Sequence, residues 1–248
     1  MKITFLGTNG WYTSKTGNTP CIVIDSKDYY VVLDAGNGLC FLDSVIKEDK
    51  PIFLFISHFH IDHISGLHTL NKFNFKQGLT ICFAKGREKD FRTFVSPPYT
   101  IGIEQLSMKI NLIELVENNN PLPFPVECIE LFHTYRGHGY RIELDGKIIS
   151  YSGDAGINES SKKLAEKADL LIHECSYQAI HPKDTWGHAG PIETAQLAKD
   201  ADVKQLILTH FDATQYKTPE DRKNAEKQAK KIFSNTIAAF DGFCFNLS

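Results

Sequence analysis

The stretch His58-Phe59-His60-Ile61-Asp62-His63 places four side chains able to ligate a metal within six residues. It follows directly on Pro51-Ile52-Phe53-Leu54-Phe55-Ile56, an apolar run with the length and composition of a buried strand. A strand that ends abruptly in ligands delivers them at a sheet edge, where a rigid scaffold presents a loop to solvent. Imidazole nitrogens beside a carboxylate suit zinc or a similar divalent transition metal. The plain alternative is three surface histidines near an ordinary acid, and this spacing directly after a strand argues against it.

The rest of the chain must supply a sheet to carry that loop. Its 248 residues allow one large domain or two small ones, at roughly 100–200 residues each. No Gly-, Ser- or Pro-rich linker divides them, so a single domain over residues 1–248 is expected. An apolar content of 42% suffices for a sizeable core. Met1-Lys2-Ile3-Thr4-Phe5-Leu6-Gly7 enters an expected strand without a signal-peptide layout, and no apolar run approaches the ~20 residues of a membrane span. A cytoplasmic location without membrane partners is expected. Cys21, Cys40, Cys82, Cys128, Cys175 and Cys244 form no Cys-x-x-Cys pair, and most read as reduced core residues. A net charge of −3 argues against a large basic nucleic-acid surface and leaves a local patch open. The basic cluster at 227–231 falls on an expected helix and reads as a solvated face.

Strands are expected at Lys2–Leu6, Pro20–Asp25, Tyr29–Leu33 and Ile52–Ile56, with a turn signal in Asp34-Ala35-Gly36 and a short helix from Ile64 to Leu70. Residues 85–125 resist assignment, because Ser96-Pro97-Pro98-Tyr99 breaks any regular element and Asn118-Asn119-Asn120-Pro121 is a loop. The segment 91–105 stays open between a lid over the site and an ordinary surface loop. Further strands are expected at Tyr140–Leu144, Lys147–Ser152, Leu170–His173 and Gln205–Thr209. Helices follow Asn158 to Lys167, Pro191 to Lys199 and Thr218 to Ile232, each opened by a cap or a first-turn Pro. Leu208-Thr209-His210-Phe211 echoes Ile56-Ser57-His58-Phe59 at the end of another strand.

The His-x-His-x-Asp-His spacing resembles the signature of the metallo-β-lactamase superfamily. The resemblance implies an α/β fold, a four-layer αββα sandwich with two metals at one end of the sheets. It implies that His58, His60 and His133 hold one metal, that Asp62, His63 and His210 hold the other, and that Asp154 bridges them. Such a carboxylate can hold two cations about 3.5–4 Å apart and so lower the pKa of a shared water. The expected ions are two divalent cations, zinc ahead of manganese or iron. Thr134-Tyr135-Arg136-Gly137-His138 also resembles the Gly-His ligand loop of lactamases and glyoxalase II, which would make His138 the ligand. The spacing His133-x5-Gly139-Tyr140-Arg141 resembles instead ribonuclease Z and its phosphodiesterase relatives, and favours His133.

Other segments resemble the same branch. Phe5-Leu6-Gly7-Thr8, followed by Lys15, Asn18 and Thr19, is similar to the first loop of ribonuclease Z, with Gly17 where an Arg is usual. His173-Glu174-Cys175-Ser176 and Gly187-His188-Ala189 resemble the His-Glu-Ala-Thr and His-Ser-Thr elements with altered last residues. Carried over, Glu174 orients His188, His188 protonates the departing oxygen or stabilises the developing charge, and Asp62 combines ligation with orienting or deprotonating the attacking water. The long arm that grips tRNA has no room here, since the segment 134–153 between His133 and Asp154 is the length of a hairpin.

The expected activity is that of a dinuclear phosphodiesterase, ribonuclease Z-like, on small, cyclic or short-nucleotide phosphodiesters, with extended tRNA binding disfavoured. A tRNA 3′-processing endonuclease without the arm, a carbonyl hydrolase (lactonase, thioesterase or lactamase) and a metal-stabilised binding module are the alternatives. A homodimer is expected from the family resemblance alone.

Overall fold

The structure, a computed structural model, describes residues 1–179 and 185–248. The first half contributes strands β1 (Lys2–Gly7), β2 (Asn9–Gly10), β3 (Cys21–Asp25), β4 (Tyr30–Leu33), β5 (Ile52–Ile56), β6 (Leu79–Ala84) and β7 (Ile110–Leu115), with helices α1 (Ile61–Ile64) and α2 (Glu88–Phe94). The second half adds β8 (Val126–Glu130), β9 (His138–Leu144), β10 (Lys147–Tyr151), β11 (Leu170–Glu174), β12 (Leu206–Thr209), β13 (Phe211–Asp212), β14 (Thr236–Ala238) and β15 (Cys244–Asn246). Helices α3 (Glu159–Ala165), α4 (Pro191–Asp200) and α5 (Pro219–Lys230) lie among them.

Two sheets stack face to face. One runs in the order β15-β1-β3-β4-β5-β6-β7 and the other β14-β12-β11-β10-β9-β8. Although β5 is apolar throughout, its alternate residues part company. Phe53 and Phe55 enter the core between the sheets with Ile22, Ile24, Tyr140 and Ile172. Ile52, Leu54 and Ile56 face the other way, onto Leu39, Leu42, Leu67 and Phe91 of the helical layer. A sheet covered on both faces needs apolar residues at both periods, which is why β5 reads as an unbroken run. On the far side, Leu171, Leu206 and Leu208 meet Ala195, Ala198, Ala225 and Ala229 of α4 and α5. The outcome is helix, sheet, sheet, helix: an α/β sandwich of four layers.

Strand direction positions the site. Neighbours β4, β5, β6 and β7 are parallel, as are β10, β11, β12 and β14. Because β8 and β10 are both antiparallel to β9, β8 runs the same way as β10. Asp34, His58, His133, Asp154, Glu174 and His210 therefore all lie at or just beyond carboxyl ends of strands, where open α/β sheets place their ligands.

Departures from the expected elements are local. The helix expected from Ile64 is a 3₁₀ helix over Ser65–Lys72. There Gly66 is drawn against the Ala35-Gly36 turn: its N–H donates to Ala35 O at 2.8 Å, and a Cβ would stand 2.1 Å from Gly36 O. Residues 85–125, left unassigned, hold α2 and β7. β7 is the half-exposed edge of its sheet, so neither period is clean. β14 and β15 are three residues each, too short for any pattern, and gain their stability by pairing with β12 and β1.

Candidate metal centre

Three ring nitrogens converge at the mouth of β5. His58 Nε2 lies 2.9 Å from His60 Nδ1, which lies 3.3 Å from His133 Nε2. Ligand atoms of a tetrahedral zinc site, at roughly 2.0–2.1 Å from the metal, stand on the order of 3.3 Å apart. Asp154 Oδ2 closes this group at 3.8 Å from His58 Nε2 and 3.9 Å from His133 Nε2.

A second group sits beside it. His63 Nε2 is 3.1 Å from His210 Nε2, and Asp62 Oδ2 lies 3.2 Å from His210 Nε2 and 3.6 Å from His63 Nε2. Asp154 Oδ1 stands 3.1 Å from both of these nitrogens. The two oxygens of one carboxylate thus face different groups. Asp154 Oδ1 is buried without a hydrogen-bond partner. A buried carboxylate oxygen left unsatisfied among imidazole nitrogens is costly unless a cation answers it. The donor set fits divalent metal.

Local backbone puts these groups in place. Gly153 takes φ +56, and the chain can turn tightly over Ser57 before Asp154 because no Cβ is there to meet the Ser57 side chain at 2.6 Å. His210 itself has φ 51, uncommon for a residue other than glycine. Its ring packs on Gly10, where a Cβ would lie 2.6 Å from it.

Other side chains aim the rings. His63 Nδ1 donates to Asp34 Oδ2 at 2.7 Å, and His133 Nδ1 donates to Gly187 O at 3.2 Å. His58 Nδ1 and His210 Nδ1 meet the hydroxyls of Ser57 and Ser176 at 3.1 and 3.0 Å. With Nδ1 engaged, each of these four rings presents Nε2 to the centre. Asp34, Ser57, Tyr151 and Ser176 were not singled out by the sequence as functional; Asp34 reads there only as a turn former. For Ser57, a short polar residue at the end of β5 directly before His58 was the available signal.

Charge divides the two groups. Burial pushes His58 well below the usual imidazole value and lowers His60 and His133, which keeps them in the neutral form that binds metal. For His63 and His210 burial acts the same way and is the largest single effect, but the carboxylates of Asp154 and Asp62, with Asp34 for His63, together outweigh it and raise both. Asp62 is partly buried, which acts to raise it, yet His63 and His210 push it down to about 2. Asp154, despite its burial, is held well below the carboxylate range by His210 and His63. The carboxylates demand positive charge here, and a divalent cation supplies it in place of ring protons.

Glu174 and His188 meet over this centre. His188 Nδ1 donates to Glu174 Oε1 at 2.7 Å. Glu174 is fully buried and also accepts from Ala155 N at 3.1 Å and Ser176 N at 2.9 Å. The His188 ring lies 5.0 Å from that of His133 and 6.1 Å from that of His210, so it spans both groups.

Every site residue expected from the sequence thus lies in one place: His58, His60, His133 and Asp154 in one group, Asp62, His63 and His210 in the other, with Glu174 and His188 above. His138, the rival of His133, belongs to neither group among the described residues. It starts β9 opposite Glu130 and lines a neighbouring cavity. The segment 91–105 does not line that cavity. It packs Phe91 and Val95 into the core instead.

A family model described as the beta-lactamase superfamily domain matches residues 29–211. Ribonuclease Z of Enterococcus faecalis is 28% identical over 296 aligned positions, covering 95% of this chain and 94% of the relative. The probable metallo-hydrolase YhfI of Bacillus subtilis is 26% identical over 245 positions, covering 96% of each. The solved structure of YhfI from Bacillus subtilis superposes with a TM-score of 0.80 at 25% identity over 99% of both chains. That of human tRNase Z, short form, superposes with a TM-score of 0.76, also at 25% identity, over 100% of both chains.

Proposed function

The chain belongs to the beta-lactamase superfamily, and we propose that it is a metal-dependent hydrolase of the ribonuclease Z-like kind, a phosphodiesterase acting on small, cyclic or short-nucleotide phosphodiesters. The observation that carries this reading is the 2.7 Å bond between Glu174 and His188 above the two ligand groups. Cleaving a phosphodiester expels an alkoxide, which needs a proton as it departs. The buried Glu174 carboxylate, held below its usual range by His188 against the effect of burial, keeps a negative charge beside Nδ1. That charge favours the imidazolium, whose Nε2–H is the proton to be delivered.

His58, His60, His133 and Asp154 would hold one divalent cation, and Asp62, His63 and His210 with the other oxygen of Asp154 a second, zinc in our reading. Bound there, the cations would polarise the phosphoryl group and lower the pKa of a water. Asp62 also accepts a hydrogen bond from Trp11 N at 2.8 Å, which fixes its carboxylate for orienting that water.

Small substrates are favoured over whole tRNA by chain length and topology. The alignment with ribonuclease Z spans 296 positions against 248 residues here, so the relative has segments that this chain lacks. Between His133 and Asp154 lies the hairpin of β9 and β10, in which Leu144 pairs with Lys147 across Asp145-Gly146. We further propose one domain over 1–248, a cytoplasmic location, supported by six free cysteines, and a homodimer, on the family resemblance.

Initial rates on bis(p-nitrophenyl) phosphate, with lactone, thioester and β-lactam substrates beside it, test the proposal. Chelator-sensitive diester hydrolysis is expected. Turnover of a carbonyl substrate with silence on the diester would replace it by the acyl-hydrolase reading.

A further inference from the structure

His138 is left without a task by the metal centre, and the cavity it lines opens onto that centre. This hollow of about 360 Å³ is walled by His58 and His60 on one side and by Arg87, Tyr135, Arg136 and His138 on the other. Its volume lies within the range of small-ligand sites, roughly 300–1,000 Å³. We propose that it is a second anion subsite, which takes a phosphate group of the substrate other than the one being cleaved. The inference rests on the phosphodiesterase reading and deepens it, naming diesters that carry a further phosphate as the preferred class.

Charge supports an anionic occupant. Asp90 also lines the hollow, and Arg87 answers it at 3.1 Å. Arg136 is exposed and makes no ion pair among the described residues, so its guanidinium is the uncompensated charge. The other arm of Arg87 donates to Tyr135 O at 3.1 Å. That bond pins the turn in which Tyr135 and Arg136 take φ 59 and 60, and so holds Arg136 at the rim. Guanidinium groups bind phosphate in paired, charge-assisted hydrogen bonds, and the unpaired Arg136 has its planar fork to offer them.

The Arg87–Arg136 side continues into a further cavity of about 390 Å³, which shares Arg87, Arg136 and His138 and is of mixed charge, adding Lys85 and Lys163 but also Glu117 and Glu130.

Thymidine 5′-(p-nitrophenyl phosphate) and its 3′-phosphorylated derivative share a scissile diester and differ by one phosphate. For the metal-loaded protein, the 3′-phosphate is expected to raise kcat/KM roughly tenfold or more, mainly through KM. Arg136→Ala should bring the ratio to within about twofold of unity, and Arg136→Lys should keep part of it. Calorimetry should show the same preference for thymidine 3′,5′-bisphosphate over thymidine 5′-monophosphate, lost in Arg136→Ala. Equal rates on the two esters, or a ratio untouched by Arg136→Ala, would overturn the subsite while leaving the phosphodiesterase intact. Cleavage of neither ester, with turnover of a carbonyl substrate, would remove the parent reading and the subsite with it.

Discussion

Asp34 Oδ2 lies 2.7 Å from His63 Nδ1, and both residues are fully buried. The same carboxylate accepts from Ser57 N at 2.7 Å, Ser57 Oγ at 2.8 Å and the Tyr151 hydroxyl at 2.6 Å. One side chain thus ties β4, β5 and β10 together at the floor of the centre. It also fixes the tautomer of His63, so that Nε2 faces Asp154 and His210. A carboxylate behind an imidazole ligand raises the basicity of the ring and holds its orientation.

Asp34→Ala is accordingly expected to lower metal affinity about 10–100-fold, while Asp34→Asn keeps the shape but not the charge and loses less. Competition titration against a chromophoric chelator reads this directly. Unchanged affinity in Asp34→Ala would leave Asp34 with a packing role alone.

His188→Ala should lower kcat by about 10²–10⁴ without loss of bound metal. The deficit should be larger for a diester with an alkoxide leaving group than for a p-nitrophenyl ester, because p-nitrophenolate departs without help. Steady-state kinetics on both ester types, beside elemental analysis of the purified variant, decide the matter. Metal lost together with activity would make His188 a ligand.

Glu174 makes stability depend on pH. Its folded pKa is below the ordinary carboxylate value, so its contribution to stability is present above the unfolded pKa and disappears as pH falls through the folded one. Glu174→Gln, which resembles the protonated form, should therefore be less stable than the parent at neutral pH, with the gap closing on the acid side of about pH 4.3. Denaturant midpoints from pH 7 down to the acid limit of folding give the curve. A constant gap would mean that the ionised carboxylate is not what Glu174 contributes.

Gly10→Ala tests how the second ligand group is seated. The added methyl meets the His210 ring at 2.6 Å, under the closest approach of real Cβ contacts, and β2 and β13 are paired there, so the ring must move. Metal stoichiometry should fall from two toward one per chain, with His58, His60 and His133 still loaded. Two ions bound with undiminished affinity would show that the loop yields and the ring does not.

Some of this was written into the sequence locally. The apolar β5 run followed by His58-Phe59-His60-Ile61-Asp62-His63 marks a strand end with ligands, and Gly153-Asp154 and Thr209-His210 mark two more. Caps at Asn158 and Thr218 announce α3 and α5, since each side chain accepts from the backbone three residues on. Such signals depend on near neighbours and survive in one dimension. By resemblance the sequence favours His133 over His138, but the contact that separates the two, the His133 ring reaching His60 once β8 and β9 are paired, does not survive in one dimension. The same is true of Asp34 with Tyr151, of Ser176 with His210, and of Arg87 holding the turn that carries Arg136. Hydrogen bonds between residues far apart in the chain exist only after two sheets have stacked and aligned their carboxyl ends. Sequence alone therefore determined where ligand-bearing strands end, and tertiary structure decided which side chains stand behind them and what lies beside them.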